Sequence, residues 1–311
     1  MRVHVDTDLG GDPDDVAALI YLLARPDVEL VAVTTVDDPG GRRAGLVAEV
    51  LRLAGRTDVP IAAGAETSLT TGGPVGSVLD GTRYWPTPVA ARPGRLDVAL
   101  DLLAESVAGG AVVVGIGPAT TLALLGRRSP DALAAAHVVL MGGWVEPPPD
   151  GYPQWTAADD YNVTCDPIAA TEVRQGAGRL TVVPLAATAQ VHLRAGHLHR
   201  LRALGPLGRL MASQAEAYRD RGGKAELAAA HDGLPDDLLN FHHDPLAAAV
   251  AAGWPGVTVE QMRLRTADTE SAAPLERVGT EEADGRDVEV IVGVDGPGFS
   301  EHWLTTIEAH R

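Results

Sequence analysis

Two kinds of apolar patterning alternate along the chain. Short β-branched runs at Arg2–Val5, Leu30–Thr35, Val59–Ala62, Ala111–Gly115, His137–Met141 and Leu180–Pro184 have the length and composition of buried strands. Between them, Ala/Leu-rich stretches predict helices over Asp14–Ala24, Arg42–Ala54, Asp97–Ala108, Thr120–Leu125, Ile168–Gln175 and, after a longer excursion, Leu246–Ala252. This βαβα order is the signature of an α/β fold, an open, mainly parallel sheet wound on both faces by helices. Thr67–Pro93 and Gly143–Tyr161, rich in Gly, Pro and Thr, follow predicted strands, where open sheets carry their ligand loops. Arg263 to Asp295 reads as a late pair of strands around an acidic turn at Thr280–Arg286. No linker or repeat interrupts the pattern, so a single domain over residues 1–311 is expected.

Composition narrows the possibilities. At 311 residues and 45% hydrophobic, the chain can bury a large core without staples. Its 25 Lys+Arg against 42 Asp+Glu give a net charge of −17, and Lys224 is the only lysine. A nucleic-acid partner is therefore not expected. Acid follows too soon after Met1 for a secretory signal, and no apolar run reaches the roughly 18 residues of a membrane helix, so the expected location is cytoplasmic, away from membranes. Cys165 stands alone, which excludes a disulfide or a thiolate cluster within the chain and leaves any metal to oxygen or nitrogen ligands.

Candidate chemistry concentrates where the first strand ends. Asp6, Asp8, Asp12, Asp14 and Asp15 place five carboxylates in ten residues between a strand and a helix. Like charges packed there raise one another's pKa unless a cation or a helix N-terminus neutralises them, and a divalent ion is the natural remedy. Capping accounts for part of the cluster: Asp12 before Pro13 has the form of an N-cap, with Asp14 and Asp15 in the first turn. It leaves Asp6 and Asp8 unexplained. Asp14 and Asp15 lie about 100° apart around a helix, which predicts one facing a metal and the other a ligand. Asp166-Pro167 reads as a plain helix cap, whereas Asp244-Pro245 follows His242 and His243, and two imidazoles beside a carboxylate suit acid–base work as well as core packing. Serine-hydrolase, zincin and P-loop motifs are all missing, and Gly115-Ile116-Gly117-Pro118 is only a fragment of a dinucleotide fingerprint.

Taken together, Asp6-Thr7-Asp8-Leu9-Gly10 with Asp14-Asp15, Val33-Thr34-Thr35-Val36, Gly117-Pro118-Ala119-Thr120, Met141-Gly142-Gly143, Asp160-Tyr161-Asn162 and His243-Asp244-Pro245-Leu246 resemble, in order and spacing, the successive motifs of the inosine–uridine preferring nucleoside hydrolases. The resemblance runs to about residue 255, and the tail beyond it adds little to it. It implies a nucleoside hydrolase-like fold, a homo-oligomer (dimer or tetramer), and one Ca2+ held by Asp8, Asp15, the main-chain oxygen of Thr120 and Asp244, an all-oxygen set suited to a hard cation. It further implies calcium-dependent cleavage of the N-glycosidic bond of ribonucleosides. Asp8 would take a proton from the calcium-bound water, Asp14 and Asn162 would grip the ribose hydroxyls, and Asp160 would make a sugar contact where the family usually has Glu. His243 would protonate the departing base, with His242 as its stand-in.

The chain departs from the family where Gly-Asn commonly follows the Thr-Thr-Val run. Here Asp37-Asp38-Pro39 stands, and Asp38 is either a substitute sugar-binding group or part of an ordinary Asp-Pro turn. The loop at Pro74–Thr87 offers Tyr84 and Trp85 for stacking on a base or for packing. A pocket lined by Asp6, Asp8, Asp14, Asp15 and Asp244, with no lysine nearby, predicts free ribonucleosides over nucleotides and poor use of 2′-deoxynucleosides. Two alternatives share parts of the pattern. One is a haloacid dehalogenase-type phosphatase, which also opens on D-x-D after a strand, and the other is a non-catalytic calcium- or nucleoside-binding protein of the same fold.

Overall fold

A computed structural model describes residues 1–75, 84–221, 223–267 and 272–310. Strands β1 (Arg2–Thr7), β2 (Glu29–Thr35), β3 (Ile61–Ala62), β4 (Val112–Gly115), β5 (His137–Met141) and β6 (Arg179–Val183) match the predicted runs, with β3 cut to two residues. Later strands are β7 (His192–Arg194), β8 (Leu238–Phe241), β9 (Val257–Thr266), β10 (Leu275–Arg277) and β11 (Arg286–Val294). Nine of them share one sheet in the order β10-β9-β11-β6-β5-β4-β1-β2-β3, while β7 and β8 form a separate antiparallel pair. From β11 to β3 every pairing is parallel, whereas β9 is antiparallel to both of its neighbours, β11 and β10, and is the one strand of this sheet that runs the other way. The fold is thus the expected α/β class.

The strand order reverses at β1. The chain steps from β1 out to β2 and β3, then returns to lay β4 on the other flank of β1. Such a switch point leaves a crevice beyond the carboxyl ends of the two strands, and the acidic stretch opens into it.

Helices cover both faces: α1 (Asp14–Ala24), α2 (Arg42–Leu53), α3 (Leu96–Ala108), α4 (Thr120–Arg128), α5 (Pro130–Ala135), α6 (Tyr161–Thr164) and α7 (Pro167–Gly176) in the first part of the chain. Then follow α8 (Leu185–Thr188), α9 (Leu198–Arg202), α10 (Gly205–Arg221), α11 (Lys224–Ala230), α12 (His243–Ala251) and α13 (Gly296–Ala309). The excursion after β6, featureless in the apolar pattern, therefore holds helices α8 to α11 and a small hairpin-like pair. None of the helices in the described residues is long and apolar enough to cross a membrane.

Every residue of α1 is buried. It is sandwiched by α12 and α13, and the Trp303 indole of α13 donates to the Ala17 carbonyl at 3.1 Å. The late strands expected over Arg263 to Asp295 are found in the main sheet. Strand β11 joins the interior of the sheet beside β6, and α13 encloses the helix that presents the acidic residues. The middle of the predicted loop at Thr67–Pro93, residues 76–83, lies outside the described residues.

Candidate active site

Alternation along β1 turns His4 and Asp6 away from the crevice. Both are buried: His4 Nδ1 lies 2.8 Å from Ser106 Oγ, its Nε2 lies 3.0 Å from Thr34 Oγ1, and the Thr34 hydroxyl donates to Asp6 Oδ1 at 2.5 Å. Burial pushes the Asp6 carboxyl up to about 7. Asp6 was expected in the pocket wall, but it belongs to this internal ladder and does not line the cavity.

The cavity has a volume of about 440 Å3, within the range of small-molecule sites. Asp8, Asp12, Asp14, Asp15 and Asp244 line it. Carboxylate oxygens of Asp14, Asp15 and Asp244 all lie within 4.8 Å of one another. This corrects the angular argument that neighbouring helical aspartates must serve different targets. Helix α12 crosses α1 at its first turn, so Asp244 meets both, and its backbone N–H donates to Asp14 Oδ2 at 3.4 Å. The Thr7 hydroxyl donates to Asp15 and orients it. Burial, reinforced by neighbouring carboxylates, holds Asp14, Asp15 and Asp244 well above the usual carboxylate range. Asp8 is pushed up to about 6 by burial, with the Arg43 guanidinium pulling the other way. Buried carboxylates in such contact call for a proton or a cation, and an all-oxygen donor set fits a hard divalent ion.

Asp12 departs from a simple cap. The helix starts one residue later than the Asp-Pro reading predicts, with Pro13 at the N-cap position, and Asp12 Oδ1 accepts from Asp14 N at 3.0 Å. The same carboxylate takes the Asn240 amide and the Tyr218 hydroxyl, which tie it to β8 and α10.

Thr120, at the first residue of α4, is fully buried, and its hydroxyl donates to Asp166 Oδ2 at 2.7 Å. The turn leading to it is pressed against Asp8: a Cβ on Gly117 would stand 2.8 Å from both Asp8 N and Asp8 Oδ1, so only glycine fits. Asp166 caps α7 and also accepts from Leu69 N, Thr70 N and the Thr70 hydroxyl, clamping the 69–70 segment.

Asp38 does not reach the cavity. Its buried carboxylate accepts from the Thr35 hydroxyl at 2.7 Å, Arg43 N at 2.7 Å and Ala44 N at 2.9 Å, satisfying the first turn of α2. Of the two roles open to Asp38, the structure therefore shows it in the local turn, as a cap away from the cavity lining. Beside it, Arg43 is 3% exposed, pairs with Asp37 Oδ2 at 2.6 Å, donates to the Asp37 carbonyl at 2.7 Å and also to the Asp8 carbonyl.

Across the cavity stand His243, Asn162, Tyr84, Tyr218 and Lys224. His243 stacks on Phe241 with centroids 5.2 Å apart, and its Nδ1 lies 2.7 Å from Thr188 Oγ1. Burial pushes the imidazole down to about 3, so it is neutral at pH 7. His242 is no stand-in: it is wholly buried against Trp303, 4.6 Å between centroids, away from the cavity. Asn162 spends its amide nitrogen on the Ile116 and Met141 carbonyls, and among the described residues no donor takes its Oδ1. Asp160 also borders the cavity, but its oxygens take Gly143 N at 2.5 Å and Val163 N at 3.2 Å. Gly142 and Gly143, at φ of 120° and 106°, allow that approach. Trp85 is packed in the core, whereas Tyr84 meets Tyr218 edge to face at 5.7 Å.

The family described as "Inosine-uridine preferring nucleoside hydrolase" matches residues 3–301. The chain belongs to this family. Among relatives, the pyrimidine-specific ribonucleoside hydrolase of Salmonella paratyphi A is 28% identical over 230 residues, covering 71% of this chain and 72% of that protein. Among solved structures, a purine-preferring ribonucleoside hydrolase from Gardnerella vaginalis superposes with a TM-score of 0.82 at 23% identity, covering 100% of this chain and 99% of that one. A plant nucleoside hydrolase gives 0.78 at 22% identity, with 99% and 98% covered. These superpositions carry the fold. Membership makes the chain a hydrolase of nucleosides and sets aside the phosphatase and the non-catalytic binder.

Several cavity residues of this nucleoside hydrolase escaped the sequence reading. Arg43, Tyr218 and Lys224 belong to helices whose apolar periodicity says nothing about a site. The expectation of no lysine near the pocket is wrong, because the chain's only lysine lines it. The one available signal was scarcity itself: a lone Lys in an acidic chain.

Proposed function

We propose that this hydrolase cleaves the N-glycosidic bond of free ribonucleosides, with Ca2+ as its cofactor, releasing ribose and the base. The observation that carries the reading is the convergence of Asp14, Asp15 and Asp244 beside Asp8 in one cavity. Asp8, Asp15 and Asp244, with the Thr120 carbonyl, are the groups to hold the ion. Bound there, a hard divalent cation supplies the positive charge that orients a vicinal diol and lowers the proton affinity of an adjacent water. Asp8 accepts a proton from the attacking water, lying in the cavity beside the other carboxylates. Asp14 and the Asn162 Oδ1 accept hydrogen bonds from the ribose hydroxyls, and the surrounding carboxylates stabilise the ribosyl cation that develops as the bond breaks. His243, neutral and stacked, borders the base. Asp160 acts at one remove, fixing the turn that bears Asn162.

The acidic floor disfavours a 5′-phosphate, and loss of one hydroxyl of the diol makes 2′-deoxynucleosides poor substrates. The lone Cys165 and the acidic surface suit a cytoplasmic enzyme, and the resemblance to the family supports a dimer or tetramer.

The test is reducing-sugar release from a panel of ribonucleosides, 2′-deoxynucleosides and nucleoside 5′-monophosphates, with calcium or with chelator. Ribose from the ribonucleosides, abolished by chelator and restored by Ca2+, is the expected result. Full activity after exhaustive chelation removes the cofactor, and no sugar from any nucleoside in excess calcium removes the function.

A further inference from the structure

Lys224 opens α11, just after Gly223 in the left-handed region at φ 61°. Its ammonium sits 5.2 Å from the Tyr218 ring centroid and 5.1 Å from the Phe241 centroid, and the residue lines the cavity. Phe241 in turn stacks on His243, and Tyr84 packs edge-on against Tyr218. The pairing that holds the other cation lining the cavity is missing here: Arg43 has Asp37, but among the described residues no carboxylate lies within salt-bridge distance of the Lys224 ammonium. A cation held by ring faces keeps its N–H groups free for something else.

The charge pattern indicates what. Cleavage of a nucleoside sends the C1′–N electron pair to the base nitrogen and leaves positive charge on C1′ and the ring oxygen. The carboxylates Asp8, Asp14, Asp15 and Asp244 supply negative charge for the sugar. The departing base needs the opposite, and Lys224 is the one cavity-lining cation among the described residues without an acidic partner. Preorganised opposite charges at the two ends of a breaking bond favour the transition state over the ground state.

Resting on the nucleoside-hydrolase reading above, we propose that Lys224 is the leaving-group residue of this enzyme. Its ammonium hydrogen-bonds the departing base between the Tyr218 and Phe241 rings and gives it the proton that completes it. The atoms balance as a hydrolysis: water delivers its hydroxyl to C1′ and a proton to Asp8, Lys224 gives a proton to the base, and Asp8 returns one to solvent as Lys224 regains its own.

The test compares K224M and K224R with the parent enzyme on two substrate types: natural ribonucleosides, and 4-nitrophenyl β-D-riboside, whose leaving group departs without protonation. In K224M, kcat on nucleosides is expected to fall about 100-fold with KM little changed, while the nitrophenyl riboside is cleaved within about threefold of the parent rate. K224R, which keeps a donor, recovers part of the nucleoside rate. Equal losses on both substrates in K224R as well as K224M, or no loss on nucleosides, overturn the proposal. So does a loss confined to nucleoside 5′-monophosphates, which makes Lys224 a phosphate contact. If the parent enzyme releases sugar from neither substrate type, the hydrolase reading itself fails, an outcome distinct from any defect of the variants.

Discussion

Strands β1 and β2 run side by side and deliver aspartates to the same edge of the sheet, Asp8 onward from the first and Asp37-Asp38 from the second. After β2 each carboxylate is matched: Asp37 by the Arg43 guanidinium, Asp38 by the Thr35 hydroxyl and two N–H groups at the start of α2. After β1, Asp14 and Asp15 have hydrogen-bond donors but, among the described residues, no guanidinium or ammonium in salt-bridge contact. Asp14, Asp15 and Asp244 face one another within 4.8 Å, and their carboxyls are driven well above the usual range. Two acidic strand ends can therefore look alike in sequence, while only one of them retains unneutralised charge for a ligand. What separates a site from a cap is a neighbouring cation and free N–H groups at the start of the next helix, which α2 supplies to Asp37 and Asp38.

Substitutions can break this contrast at either end. Asp8→Asn should lower kcat by about 1000-fold or more while the melting temperature and ribose affinity stay close to those of the parent, because it removes the base and leaves the packing intact; parent-like turnover would take Asp8 out of that role. Arg43→Met should act on the other end, costing about 3–5 kcal/mol in denaturant unfolding because Asp37 is left buried without its partner. A stability change below about 1 kcal/mol would mean that solvent already screens the pair. Asp38→Ala should cost about 1–3 kcal/mol through the lost cap and hydroxyl bond, with KM for nucleosides unchanged; a large rise in KM would return Asp38 to the sugar.

The smallest effect is a pH trend. Asp8 is raised to about 6 and Asp6 to about 7, so the native state binds more protons than the unfolded chain between the ordinary carboxylate range and those values. The stability that these two carboxyls contribute to the chelated protein is therefore full below about pH 4 and is lost as pH rises through 6 and 7. Melting temperatures from pH 5 to 8 should fall in chelator and flatten in calcium. A rise with pH in chelator would mean that the cluster is already neutralised by groups of the protein.

Much of the molecule follows from local pattern. Runs such as Val3–Val5 and Val112–Gly115 read as strands because a parallel sheet buried on both faces needs continuous apolar residues, and the crowding of aspartates after β1 marks the site because few other reasons concentrate charge there. The region after β6 was opaque. Helices α8, α9 and α11 and the β7–β8 pair are short, and α10, though 17 residues long, is mostly polar or small, so their ordering comes from packing against one another and the cavity rather than from strong periodicity. Residues of the far wall, Tyr218 and Lys224, lay in that opaque region.

From sequence alone came the α/β class, most of the central strands, the acidic locus and the family resemblance, since these depend on residue spacing of a few positions and on motif order. Tertiary structure alone decided which carboxylates meet, that Asp6 and His242 turn into the interior, that Asp38 caps a helix and that a solitary lysine reaches the cavity. Apart from the Asp38 cap, whose donors lie within six residues, each of those outcomes depends on contacts between segments far apart in the chain, where the position of a side chain is set by how helices cross and which hydrogen-bond donors they bring.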